Sequence, residues 1–155
     1  MELIDYTLGG ILEKYARETP DHEFMVYPDR GLRFTYREFD ERADMFARGL
    51  LEIGVTKGSK IGVWAKNVPD WMTFMFAAAK IGAVLVTVNT NYKSAEVEYI
   101  MRNADIHTMC MVNGYRDSDY VQIMYGLVPE LKTAPRGSLR SAKFPELRNV
   151  IYIGQ

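Results

Sequence analysis

Residues 54–60, Gly54-Val55-Thr56-Lys57-Gly58-Ser59-Lys60, gather two glycines, two hydroxyls and two lysines, the groups from which phosphate cradles are built. Such a cradle works where a strand runs into a helix, because the free N–H groups of the helix N-terminus then face the anion. Here the order is reversed: a helical pattern ends at Ile53 and a strand-like run starts at Lys60. The groups left free at a helix C-terminus are carbonyls, which repel phosphate. The G-x-x-x-x-G-K spacing is missing as well. The stretch reads as a connector, with Lys57 complementing the negative end of the preceding helix.

Open parallel sheets bind ligands outside the carboxyl ends of their strands. That directs attention to two other loops, Lys66-Asn67-Val68-Pro69-Asp70-Trp71 and Asn89-Thr90-Asn91-Tyr92-Lys93. Asn67, Trp71, Asn89, Asn91 and Tyr92 are the candidate ligand contacts. Plainer roles compete: Asn67 capping the next helix, Trp71 filling core, Asn89 and Asn91 supporting a turn. No catalytic residue and no metal set emerges. His22 and His107 lie far apart, Asp117 and Asp119 flank a helix start that they would cap, and the nine methionines are scattered as core filler. The single cysteine, Cys110, sits in the apolar run Met109–Val112 and reads as a buried, inert thiol. A reducing cytoplasm is the simplest location.

The elements that must position these loops are legible as periodicities. Leu8, Ile11, Leu12 and Tyr15 mark a helix with Thr7 as cap and Pro20 as stop. The runs 24–27 and 32–35 flank Pro28-Asp29-Arg30-Gly31, a hairpin signal. Phe39, Ala43, Phe46, Leu50 and Ile53 form one apolar stripe; Thr35 with Glu38 makes a capping box and Gly54 a left-handed stop. Arg37, Glu41, Arg42 and Asp44 on the other face predict a solvated surface. Next come a strand over 60–66, a helix over 69–81 opened by Pro69, and the valine-rich run 83–88, expected to be a strand buried on both faces. Ser94 is expected to cap a helix to Asn103, followed by a strand over 107–112, a helix over 118–128 and a last strand over 150–153. Strands alternating with helices require crossovers, hence an α/β fold with a mainly parallel sheet, helices on both faces and a small hairpin in front. Residues 132–148 carry Lys132, Arg136, Arg140, Lys143 and Arg148 against Glu146 alone, and read as a basic surface connector.

Bulk properties exclude several function classes. The 155 residues carry a formal net charge of −1, so nothing in the charge points to nucleic acid or an anionic membrane. Glu2 and Asp5 stand where a secretory leader would be basic. Residues 71–88 approach spanning length, but Pro69, Gly82 and Lys80 break the run, and Lys80 alone would cost about 3 kcal/mol in a bilayer. A buried helix followed by a strand explains the same residues, so no transmembrane segment is expected.

Residues 33–105, read in order, resemble the N-terminal subdomain of AMP-forming acyl-CoA synthetases, the adenylate-forming ligases. The matching pieces are Thr35–Phe39, Gly54-Val55 with Lys57-Gly58, Asn67 with Pro69-Asp70-Trp71, Lys80 with Gly82-Ala83, Asn89, and Glu96 with Tyr99. Residues 128–154 look in particular like the fatty-acyl-CoA synthetase branch. Thr90 departs from the family, which usually has proline after the asparagine. The resemblance implies a two-step reaction in which a fatty acid is adenylated by ATP with Mg²⁺ and the acyl group passes to coenzyme A. It also implies that the phosphate loop and the lysine-bearing C-terminal domain lie downstream of residue 155. The expectation is therefore an N-terminal subdomain over 1–155, inactive alone, that binds none of these cofactors itself and whose main partner is the rest of its own polypeptide. The alternatives are a free-standing nucleotide-binding module and an interaction piece that self-associates through exposed apolar surface. In either setting the protein is expected to be cytoplasmic or peripheral to a membrane.

Overall fold

The computed structural model describes residues 5–154; Glu2, part of the case against a leader, lies outside them. Helix α1 (Leu8–Glu18) starts where Thr7 accepts the Gly10 N–H. Strands β1 (Glu23–Tyr27) and β2 (Leu32–Thr35) pair antiparallel around a 3-10 turn at Pro28–Arg30, which closes on Gly31 at φ 61°. Helix α2 (Tyr36–Glu52) opens with the expected capping box: the Glu38 N–H meets the Thr35 hydroxyl, and the Glu38 carboxylate takes the Thr35 N–H at 2.8 Å. Its buried stripe is Phe39, Ala43, Ala47 and Leu50, and Gly54 ends it at φ 87°.

The second part is the sheet. Strands β3 (Lys60–Trp64), β4 (Val84–Thr87), β5 (Ile106–Met111) and, farther along, β8 (Asn149–Tyr152) are all parallel and lie in the order β4-β3-β5-β8. Helix α3 (Pro69–Lys80) joins β3 to β4 in one direction, and α4 (Ser94–Asn103) returns from β4 across β3 to β5. Right-handed crossovers of opposite direction put α3 and α4 on opposite faces. Helix α2 packs on α3, and α5 (Tyr120–Leu127) packs beside α4. The α/β architecture with a parallel sheet, helices on both faces and a leading hairpin is as expected.

Two cores result. The main one surrounds the sheet, with Ile61, Val63, Trp64, Met109 and Cys110 fully buried. The smaller one, Leu12, Phe39, Ala43 and Phe76 with Phe24 and Phe34 around it, glues α1 and the hairpin to the outer side of α2 and α3. The α2–α3 pair is thus a middle layer. No helix among the described residues is long and apolar enough to cross a membrane.

Several local expectations need correcting. Strand β4 is an edge, paired only with β3, and Val84 is 48% exposed. A valine-rich run signals β propensity, but it does not say how many neighbours a strand has. The α2 face expected to be solvated is partly engaged. Arg42 is half-buried, pairs with Asp70 and donates to the Thr73 hydroxyl at 3.2 Å, while Asp44 pairs with Lys80 at 2.6 Å. Helix α4 is capped from Lys93, whose N–H the Glu96 carboxylate accepts at 3.0 Å, and Ser94 is its first helical residue. A two-residue hairpin, β6 (Gly114–Tyr115) with β7 (Ser118–Asp119), precedes α5 and has no periodicity to announce it. The basic stretch 132–148 is anchored on the main core through Leu139, Phe144 and Leu147.

Candidate functional site

The carboxyl ends of β3, β4 and β5 bring loops 65–68, 88–93 and 112–119 to one edge of the sheet. Asn67 does not cap α3. That role falls to Val68, without a side-chain bond, and Pro69 needs no donor at the first turn. Instead the Asn67 Oδ1 accepts the Tyr27 hydroxyl at 2.9 Å, tying the hairpin to this loop. Burial raises the Tyr27 pKa, with Arg30 opposing and Asp70 reinforcing the shift. Trp71 is half-buried against the main core.

The β4–α4 loop is more closely organised. The Asn89 Oδ1 accepts the Asn91 N–H at 2.9 Å, an Asx turn, and the Asn89 carbonyl accepts the Tyr92 N–H at 3.1 Å. Tyr92 leans half-buried on the main core, whereas the side chain of Asn91 is exposed. Lys93 Nζ reaches across to Asp117 Oδ1 at 2.9 Å and Ser118 Oγ at 2.6 Å. That hydrogen bond, ahead of Asp117's own backbone N–H and the lysine charge, holds the Asp117 carboxyl below its ordinary pKa. Of the two acids at the α5 start, Asp119 is the cap, accepting the Gln122 N–H at 2.9 Å.

The structure therefore gathers Asn89, Asn91 and Tyr92 into one loop, sets Asn67 on the neighbouring one and places Trp71 in the first turn of α3. What sequence reasoning missed are Trp64 and Tyr120, which hold the β4–α4 loop from beneath. Their polar tips within apolar patterns were the available signal.

Neither loop 65–68 nor loop 88–93 contains a glycine, and residues 54–60 run from α2 into β3 with Gly54 and Gly58 at φ 87° and 83°. No group of three or more His, Cys, Asp or Glu among the described residues is placed to hold a metal ion. Cys110 is buried, and desolvation pushes its thiol well above the usual range, so it is no nucleophile. His107 Nδ1 lies 2.9 Å from Thr108 Oγ1, and burial, then the Arg148 charge, lower its pKa. A concavity of about 1100 Å³ lies elsewhere, between the C-terminal half of α2, residues 131–140 and the open edge of β8. Its apolar floor, from Phe46 to Ile151, resembles uncovered core more than a shaped active site.

With this geometry in place, comparison with known proteins is decisive at the level of family. The profile of the AMP-binding enzyme family matches residues 12–146. The chain belongs to that family. It is 44% identical over 153 residues, 99% of its length, to the proposed acyl-CoA synthetase YngI of Bacillus subtilis (strain 168), of which it spans 28%. It is 34% identical over 148 residues, 96% of its length, to the mitochondrial medium-chain acyl-CoA ligase ACSF2 of Danio rerio, of which it spans 24%. Among solved structures, a proposed long-chain-fatty-acid CoA ligase from Rhodopseudomonas palustris superposes with a TM-score of 0.77 at 26% identity, covering 99% of this chain and 34% of that one. The N-terminal domain of FACL13 from Mycobacterium tuberculosis shares the fold, with a TM-score of 0.79 at 21% identity over 96% of this chain and 34% of that one.

Proposed function

We propose that this chain is the N-terminal part of an AMP-forming acyl-CoA synthetase of the fatty-acyl branch, which converts ATP, a fatty acid and coenzyme A into acyl-CoA, AMP and pyrophosphate. The observation that carries the reading is the 44% identity to YngI across 99% of the chain. In this reading residues 1–155 are a subdomain that scaffolds: the sheet and its α2–α3 layer pack against the rest of the polypeptide and help wall the acyl cleft. The basic stretch 132–148 serves as its surface connector. Asn67, Trp71, Asn89, Asn91 and Tyr92 face the ligand side. ATP, Mg²⁺ and coenzyme A are held by residues outside this chain, so no catalytic residue is assigned within it. A free, buried Cys110 supports a reducing cytoplasm, with any membrane contact peripheral.

The test is acyl-dependent ATP–pyrophosphate exchange. The pure 155-residue chain is expected to show none, and a longer polypeptide carrying this sequence at its N-terminus is expected to exchange with fatty acids. Exchange by the short chain, or its absence from the long one across chain lengths, overturns the proposal.

A second reading, self-association, is supported by the open β4 edge and by Val84, Met45, Leu51 and Tyr152, all exposed. Exposed apolar groups and unpaired edges recruit partners.

A further inference from the structure

At the ligand-side edge of the sheet, two consecutive backbone carbonyls are each met by a buried aromatic donor. Trp64 Nε1 donates to the Asn89 carbonyl at 3.1 Å, and the Tyr120 hydroxyl donates to the Thr90 carbonyl at 2.6 Å. The two rings stack on each other, with centroids 3.6 Å apart and planes within 10°, and neither residue is exposed. An indole N–H can only donate. Burial, with Tyr115 adding to it, pushes the Tyr120 pKa up to about 12, so the phenol keeps its proton.

These donors pull two neighbouring carbonyls inward, and the two amides that follow fold back onto Asn89, Asn91 N–H to its side chain and Tyr92 N–H to its carbonyl. The Asn91 carboxamide is left facing outward. The same loop is clasped at its far end by Lys93, which holds Asp117 and Ser118, three and two positions before Tyr120. Thr90 sits in the middle, with a backbone freer than that of a proline.

We propose that Trp64 and Tyr120 are positioning residues that fix the shape of loop 89–93 and so hold Asn91 in one place at the ligand edge. Deleting either donor frees a carbonyl, and the loop then samples conformations in which the Asx turn opens. That Asn91 meets a ligand rests on the ligase reading; the aromatic lock does not.

The test is residue-resolved amide hydrogen exchange on the 155-residue chain. Tyr120→Phe keeps the stacked ring and removes only the hydroxyl; Trp64→Phe removes the indole donor. Exchange at the Asn91 and Tyr92 amides is expected to rise roughly five- to tenfold in Tyr120→Phe, the equivalent of one lost hydrogen bond. The Val88 and Val112 amides, bonded to the Val63 and Trp64 carbonyls, are expected to stay at the wild-type rate. Unchanged exchange at 91 and 92 overturns the proposal. So does an equal rise at 88 and 112, which marks a general loss of packing. Should Trp64→Phe lose its cooperative fold, Tyr120→Phe decides alone. No ligand enters the measurement, so the lock can fail while the ligase reading stands, and the reverse.

Discussion

Lys80 carries its charge where an isolated ammonium would be costly, with a side chain only 7% exposed at the end of α3. Asp44 at 2.6 Å, Asp40 at 2.7 Å and Glu13 at 3.3 Å surround it, so one cation ties α1 and α2 to α3. Gly9 lets α1 come close, since a Cβ there would lie 3.1 Å from Lys80 Cγ. Burial opposes the charge, but the hydrogen bonds and negative charges of Asp40 and Asp44 together outweigh it and raise the Lys80 pKa above its ordinary 10.5. Lys80→Met leaves partly buried carboxylates uncompensated and is expected to cost about 2–3 kcal/mol, less than a fully buried pair because Asp44 and Glu13 are nearly half exposed. The sign of the pH dependence follows. A raised lysine pKa stabilises fully below about pH 10.5 and loses its effect as pH rises through the raised value. Urea titrations should therefore show a constant gap between wild type and variant from pH 7 to 9, narrowing only in strong alkali. A gap that is absent at pH 7 refutes the clamp. In the sequence Lys80 is visible as a break in an apolar run and as one piece of the family resemblance, not as a clamp. Its partners lie on other helices, so nothing local could name them.

Elements were most legible where their ends are made by neighbours in sequence. The Thr35–Glu38 box is such a case. Thr35→Ala should destabilise the protein by about 1 kcal/mol, read as a lower urea midpoint with unchanged m-value. The Thr35 backbone N–H, then its hydroxyl, hold the Glu38 carboxyl below its ordinary 4.5, so the cap stabilises above that pH and fades as pH falls through the depressed value. The difference between wild type and Glu38→Gln, which removes the charge but leaves the Thr35 side intact, should accordingly shrink in acid; a difference independent of pH from 7 to 3 would show that the carboxylate plays no part. By contrast, the exposure of β4, the partner of Asn67, the first helical place of Ser94 and the β6–β7 hairpin have no such local signal. A strand's place in a sheet depends on residues such as Met109 and Ile61 that meet it or its neighbour from afar. Asn67 found its partner in Tyr27, forty positions upstream. Loops 65–68 and 88–93 do lie at the carboxyl ends of β3 and β4, a position that needs only strand direction to foresee. The Trp64–Tyr120 pair that shapes one of them is a contact between β3 and the start of α5, which only the folded chain brings together.

At the scale of the molecule, the family was legible from ordered short matches, whereas its chemistry was not, because loops 65–68 and 88–93 carry no glycine and no group of three or more metal-ligating side chains stands out among the described residues. The exposed edge of β4 and the trough beside β8 give the isolated chain two uncovered flanks. In light scattering it is expected to show concentration-dependent association and to bind a hydrophobic dye; a monodisperse, dye-negative monomer would end the self-association reading. The strand order has one further consequence. Strand β3 is the first of the four to be made; β4 then joins one side of it, β5 the other, and β8 the outer side of β5. No strand has to wedge between two already paired. A chain leaving the ribosome can thus lay down this sheet one strand at a time, each newcomer finding a vacant edge and each crossover helix roofing one face before the next arrives. Biosynthesis and topology run in the same direction, and the two edges still vacant at the end are the places where such growth would continue.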